Sequence, residues 1–471
     1  MTIDEAKDSF KKYRGGEFRE YQKEAIQWIL DSDKKVTILA APTGMGKSMI
    51  SMVSGMAFGS LTYVIHSKIL QNQICNDHPE AKILFGRSNY NCLSRTELDC
   101  GDCVATKQSP CNYKKTSCPY EVAKREALDA KIKVLNTDYY MSETNFVGRF
   151  SGAPFVTIDE ADILEGSLLS FITLVFTKYA LRRLGLQVQA DELQKTSKFK
   201  DKLLNQWIDF GKQALYRTDS IIKKLSGDID SRWNDKDNED IPKLIKEKIR
   251  VVRLQEKIQL FLDNVAPDWI LEDVNDRLSW RPLWLTPQLA NTYLWNHASR
   301  FVLLSASFLP VHIEAKRLGL DMDDVAYKSL PSTFPVENRR TIIRPVADLV
   351  SKNMDIEVPK VIEEVKNILA HHPNDRGMIH AVSYKLAKQV HEGVNDCRLM
   401  IHDSSNRQEV LDQFLSSSKN AVMISPSMDR GLSLDMDKAR FQIILKMPWL
   451  SLGDRIVQAR VYGSPLGQEW F

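Results

Sequence analysis

Residues 36–48, VTILAAPTGMGKS, decide how the rest of the chain is read. The run 36–41 is short and apolar, which predicts a buried strand, and a helical stretch follows Ser48. Between them stands Ala41-Pro42-Thr43-Gly44-Met45-Gly46-Lys47-Ser48, a phosphate-loop pattern with alanine at its first glycine. Glycines let backbone N–H groups close on phosphate oxygens. Lys47 is placed to reach the β- and γ-phosphates of a nucleotide, and the Ser48 hydroxyl to hold Mg²⁺. Strand, loop and helix in this order predict a nucleotide-binding α/β domain.

Working outward, 61–66 (LTYVIH), 132–135 (IKVL) and 155–158 (FVTI) predict further strands of a parallel sheet covered on both faces. The last runs into Asp159-Glu160-Ala161-Asp162. A carboxylate at a strand end can hold Mg²⁺, and its neighbour can orient or deprotonate an attacking water. These roles go to Asp159 and Glu160 respectively. Upstream, FREYQ (18–22) precedes an amphipathic helix, and Arg19 and Gln22 are spaced to face an adenine, Gln22 through its amide. A second alternating series begins near Arg340, with strands at 377–381, 398–401, 421–425 and 441–446. Between the two series, Glu165 to Leu283 is read as mostly helical. Ile245, Ile249, Val252 and Leu260 fall near one face of a long charged helix. The polar break SGDIDSRWNDKDNED at 226–240 predicts a mobile loop between two helical blocks.

The chain has 471 residues, 43% hydrophobic and 27% charged, as expected of a globular protein of two to four domains. No run approaches the ~20 apolar residues of a membrane span, and the N-terminus has no apolar signal segment. A cytoplasmic location with no membrane partner is therefore expected. The net charge of +3 neither demands nor forbids nucleic acid. Of seven cysteines, five lie between Cys92 and Cys118. In a reducing compartment such a cluster reads as a metal site. Four thiolates suit an iron–sulfur cluster, and soft sulfur also suits zinc.

The motifs FREYQ, APTGMGKS, HSKILQNQ, GRSNYNC with its trailing cysteines, IDEAD, LLSASF, GMIHAVSYK and ISPSMDRGLSLD, in this order, resemble the XPD/DinG type of superfamily 2 DNA helicase. The resemblance runs from Phe18 to about Met447. It implies two RecA-like lobes that use ATP and Mg²⁺ to move along single-stranded DNA in the 5′→3′ direction and unwind duplex. It also implies a [4Fe–4S] cluster on Cys92, Cys103, Cys111 and Cys118, with Cys100 as the alternate to Cys103. Ser305 and Ser307 would relay between Asp162 and the strand, while Gly431 and Asp435 would face the cleft from the second lobe. His66, Ser67, Lys68, Gln71, Asn136, Tyr139, Ser383 and Tyr384 would contact the DNA. The family usually has histidine where this chain has Asp162, and Ser-Ala-Thr where it has Ser305-Ala306-Ser307.

From Asp159 to Ser305 the chain uses far more than the ~30 residues of a strand–helix–strand step. The resemblance assigns the excess to an arch domain. The expected boundaries are 1–85 and 126–164 for the first lobe, 86–125 for the cluster domain and 165–285 for the arch. Residues 286–335 end the first lobe and connect it to the second, 336–471. The resemblance implies a Gln-x-x-Gly-Arg-x-x-Arg motif, whose arginines stabilise phosphoryl-transfer charge, beyond the strand at 441–446. Arg455 and Arg460 around Gln458 have the wrong spacing for it. The second lobe is thus expected to be incomplete, with slow hydrolysis and poor unwinding by the chain as given, which admits a separate C-terminal helicase fragment as a partner. Two rival classes are a DEAD-box RNA helicase, favoured by the literal Asp-Glu-Ala-Asp, and a non-catalytic nucleic-acid-binding protein with a degenerate core.

Overall fold

A computed structural model describes residues 1–103, 111–114, 116–196, 200–232, 240–350, 352–417, 420–428, 434 and 436–471. The chain divides into two compact units, Met1–Thr333 with Leu452–Phe471, and Phe334–Ser451. No helix among the described residues is long and apolar enough to cross a membrane.

The first unit contains β1 (Val36–Ala40), β2 (Leu61–Ile65), β3 (Lys82–Leu84), β4 (Ile132–Asn136), β5 (Ala153–Asp159), β6 (Leu174–Thr177), β7 (Trp269–Val274), β8 (Arg277–Pro282), β9 (Ala298–Ser305) and β10 (Val325–Ser329). Seven of them form one parallel sheet in the order β10-β1-β9-β5-β2-β4-β3. Alternate residues enter opposite cores, as the two-residue period of a strand requires. Ile38, Val64, Ile158 and Leu303 pack on one face. Leu39, Tyr63, Phe155 and Leu304 pack on the other, beneath the helix Lys47–Phe58.

The insertion after β5 holds two long helices, Lys200–Arg232 and Ile241–Asn264. Ile245 and Leu260 are buried along the second, as its periodicity predicts. The polar stretch from Ser226 to Arg232 continues the first helix instead of opening a loop, because Ile229 is buried against Ile241 and Ile245. Residues 233–239 of that expected loop lie outside the described residues. A feature not expected from sequence is an antiparallel sheet, β6-β8-β7, at the foot of the helices. Trp280 of β8 is fully buried there among Phe176, Phe210 and Phe261.

The second unit carries β11 (Gly377–His380), β12 (Leu399–Ile401), β13 (Val422–Ser425) and β14 (Phe441–Ile444). They form a parallel sheet in the order β12-β13-β11-β14. A side chain on Gly377 would run into the ring of Phe441 on the neighbouring strand.

One boundary differs from expectation. Leu452–Phe471 packs with the first unit, not the second. The cause is Arg460, only 3% exposed, which forms an ion pair with Glu165 at 2.7 Å and donates from Nε to Leu283 O at 2.9 Å. Its guanidinium lies over the rings of Trp284 and Trp470, at 4.0 and 4.7 Å, in the corner made by their edge-to-face contact.

Candidate functional site

The carboxyl ends of β1, β9 and β5 lie side by side, with Ala40 opposite Ser305 and Asp159 opposite Leu304. In open α/β sheets this edge is where ligands bind. Gly46 caps the helix Lys47–Phe58 in a left-handed conformation (φ 74°), and Gly44 is left-handed as well (φ 82°). The loop thus delivers backbone N–H groups to a helix N-terminus, an anion-binding arrangement. Lys47 Nζ donates to Ala41 O at 3.2 Å, while Ala41 N donates to Ser305 O at 2.8 Å. Met45 is buried, its N–H donating to Pro42 O at 3.3 Å, and Thr43 is exposed.

Arg19 and Gln22 meet this loop rather than an open base pocket. Gln22 is 1% exposed; its Nε2 donates to Met45 O at 2.8 Å, and its Oε1 accepts from Arg19 N at 2.8 Å. Arg19 Nη1 donates to Gly44 O at 2.9 Å. A buried amide needs partners at both ends, and here the chain itself supplies them. Both residues brace the phosphate loop.

At the end of β5, Asp159 accepts two hydrogen bonds. Tyr63 Oη donates to its Oδ2 at 2.6 Å, and the Glu160 N–H to its Oδ1 at 2.9 Å. Burial pushes the Asp159 pKa up, against the opposing pull of Tyr63 and Lys47. Glu160 is itself left-handed (φ 55°), turning the chain sharply off the strand. Asp162 Oδ1 accepts from Ser305 Oγ at 2.8 Å. Ser307 does not share it, being exposed beyond the end of β9. Arg317 Nη2 donates to Asp162 O at 3.1 Å, and the same side chain pairs with Glu165 and Glu314, both at 2.9 Å. Ser48 and Asp159 are hard oxygen donors of the kind Mg²⁺ takes alongside retained waters, so the donor set fits that ion. Gly431 and Asp435 lie outside the described residues.

The residues expected to contact DNA divide by burial. His66 and Lys68 are exposed and Ser67 half-buried after β2, with Lys68 Nζ donating to Asn89 Oδ1 at 2.7 Å. Gln71 is fully buried under the sheet, its Nε2 3.5 Å from Val134 O. Asn136 caps the helix Thr137–Ser142 by accepting from Tyr139 N at 2.7 Å. Tyr139 is buried, its ring against Phe150 and its hydroxyl 2.8 Å from that of Tyr120. Gln71 and Tyr139 are thus buried here. In the second unit Ser383 caps the helix Tyr384–Val394, and Tyr384 is 42% exposed.

Cys92, Cys100, Cys103, Cys111 and Cys118 line one small cavity together with Arg87 and Tyr120. A bridge between Asn91 and Asp99 folds Cys92 back beside Cys100, and Cys118 precedes the helix Pro119–Asp129. Cys100 is not a bystander. It is 4% exposed, and its Sγ lies 3.8 Å from that of Cys118. Burial and then Cys118 push its thiol up to about 12. Among the described residues no three histidine, cysteine or acidic side chains are gathered closely enough to form a metal-holding group. By donor chemistry, five soft thiols around one cavity fit an iron–sulfur cluster or zinc. Cys75 and Cys397 lie outside this set.

No family model and no curated protein matches the sequence. Solved structures do match the fold. An XPD helicase aligns over 95% of this chain and 88% of its own, with TM-score 0.57 and 13% identity. An XPD in its apo form aligns over 96% and 87% (TM-score 0.53, 14% identity). Xpd4 of S. tokodaii aligns over 96% and 89% (TM-score 0.53, 13% identity). The fold is that of the XPD helicases. Within this XPD-type fold, sequence reading missed Tyr63, Glu165 and Arg317, and weighed Arg460 only for its spacing. Tyr63 left one signal, a phenol inside a buried strand whose hydroxyl had to find a partner.

Proposed function

We propose that this chain is an ATP-dependent motor on single-stranded DNA that couples hydrolysis to duplex unwinding, with 5′→3′ movement. The observation that carries the reading is the row Lys47, Asp159, Glu160, Asp162 and Ser305 at neighbouring strand ends of an XPD-type fold. Lys47 would neutralise the terminal phosphates, Ser48 and Asp159 would hold Mg²⁺, and Glu160 would orient the water. Bound Mg²⁺ would supply a Lewis acid for the phosphoryl oxygens. Four of Cys92, Cys100, Cys103, Cys111 and Cys118 would hold a [4Fe–4S] cluster, which would staple the segment 86–125. The contact of Cys100 with Cys118 favours Cys100 as a ligand. Residues 165–285 would form the arch. His66, Ser67, Lys68, Asn136, Ser383 and Tyr384 are the candidate DNA contacts left at or near the surface. Cysteines free of disulfides fit a reducing cytoplasm.

The test is anaerobic purification, an absorption spectrum, and ATPase assays with no nucleic acid, single-stranded DNA or RNA. The expected result is a brown protein whose turnover rises with DNA. Stronger stimulation by RNA would favour the DEAD-box reading, and no turnover in the cluster-loaded protein would favour a binding protein. A colourless protein with stoichiometric zinc would replace the iron.

A further inference from the structure

We infer that Tyr63 is a positioning residue for the magnesium ion, its hydroxyl holding Asp159 in the orientation in which that carboxylate takes the ion. The inference rests on reading Ser48 and Asp159 as the magnesium ligands. Tyr63 sits in the middle of β2, the strand next to β5, and is fully buried. Its ring belongs to the core under the phosphate loop, with Leu39, Met45 and Ile50. From there its hydroxyl emerges at the strand ends, 2.6 Å from Asp159 Oδ2.

Geometry fixes the direction of the effect. The Glu160 N–H holds one oxygen of Asp159 and Tyr63 the other. A carboxylate offers about four acceptor positions, so two such donors lock its rotation and still leave lone pairs for a cation. Without the phenol, the carboxylate keeps one tether and must be ordered by the ion itself. Phenylalanine retains the ring and its packing, so the substitution isolates the hydroxyl.

The experiment titrates a fluorescent ATP analogue onto the full chain and Tyr63→Phe, in EDTA and in rising Mg²⁺. Binding in EDTA should be equal. The Mg²⁺ concentration for half-maximal tightening should rise about tenfold in the variant, the scale of one hydrogen bond to a charged group. Excess Mg²⁺ should restore it, and in an Asp159→Asn background the phenylalanine should add nothing. An unchanged or lowered Mg²⁺ requirement overturns the inference while leaving the site intact. Lost folding or lost binding already in EDTA also overturns it, since the hydroxyl would then be a core group. Wild-type binding indifferent to Mg²⁺ overturns the reading of the site and the inference together.

Discussion

At the ends of β1, β5 and β9, the side chains assigned to the nucleotide are bonded to one another or to the loop: Lys47 to Ala41, Asp159 to Tyr63 and Asp162 to Ser305. Around the cysteine cavity, the described thiol–thiol contact is Cys100 with Cys118, and the segment there is built of short turns. The first region takes its geometry from strand register, which a seven-stranded parallel sheet fixes over long distances in sequence. The second has little sheet or core of its own, and in such segments a bound metal supplies much of the folding energy. Substitutions in the first should therefore remove chemistry and spare the fold. Substitutions in the second should remove both.

The largest effect that would break this contrast concerns Lys47. Lys47→Ala should lower ATP hydrolysis by at least ~10³-fold, with its melting temperature unchanged, because the lysine stabilises developing phosphate charge and no core contact. Glu160→Gln should keep ATP binding and slow turnover ~10²–10⁴-fold. Melting that fell with either would put them in the scaffold. Next comes Cys118→Ser, which should lose its iron and expose 86–125 to protease; Cys397→Ser should do neither. Iron analysis and limited proteolysis on the same preparations decide it.

A third test sharpens the comparison at a point the sheet does not reach. Arg460→Ala would leave Trp284 and Trp470 without the cation over them and break its ion pair with buried Glu165. A loss of about 3 kcal/mol is expected by urea titration. Arg460→Lys should recover only part, since an ammonium cannot stack as a planar guanidinium does. Equal stability of all three proteins would mean that this segment docks without the ion pair. The smallest effect is at Ser305→Ala, which removes one hydrogen bond to Asp162 worth roughly 1 kcal/mol. DNA-stimulated turnover should fall several-fold while basal turnover changes less; equal losses would exclude a coupling role.

What could be read beforehand follows from how each signal is written in the chain. The strands at 36–40 and 61–65 are buried on both faces, so their sequences are continuous apolar runs. The sheet β6-β8-β7 escaped notice because β6 has four residues, too few to display alternation; β8 does alternate, burying Leu278, Trp280 and Pro282, but over six residues inside a stretch read as helical. The burial of Gln71 and Tyr139 was not legible, because an amide and a phenol read alike whether they face solvent or satisfy an interior. The pairing of Arg460 with Glu165 spans almost three hundred positions and leaves no local trace. The cysteine cluster was plain from spacing; the resemblance preferred Cys103 and kept Cys100 as the alternate, and burial puts Cys100 beside Cys118.

The strand order also sets a timetable for the protein's birth. β5, β2, β4 and β3 can pair as soon as Asp159 has left the ribosome. β1, which carries the phosphate loop, has β9 and β10 as its partners, and both come much later. Roughly 290 residues separate Ala40 from Ser329, on the order of 15–60 s of synthesis at ~5–20 residues/s. Throughout that interval an apolar strand waits beside a half-built sheet. Nascent chains arrested before about residue 330 should therefore hold chaperones and bind no nucleotide, and the ability to bind should arrive abruptly with the last strand.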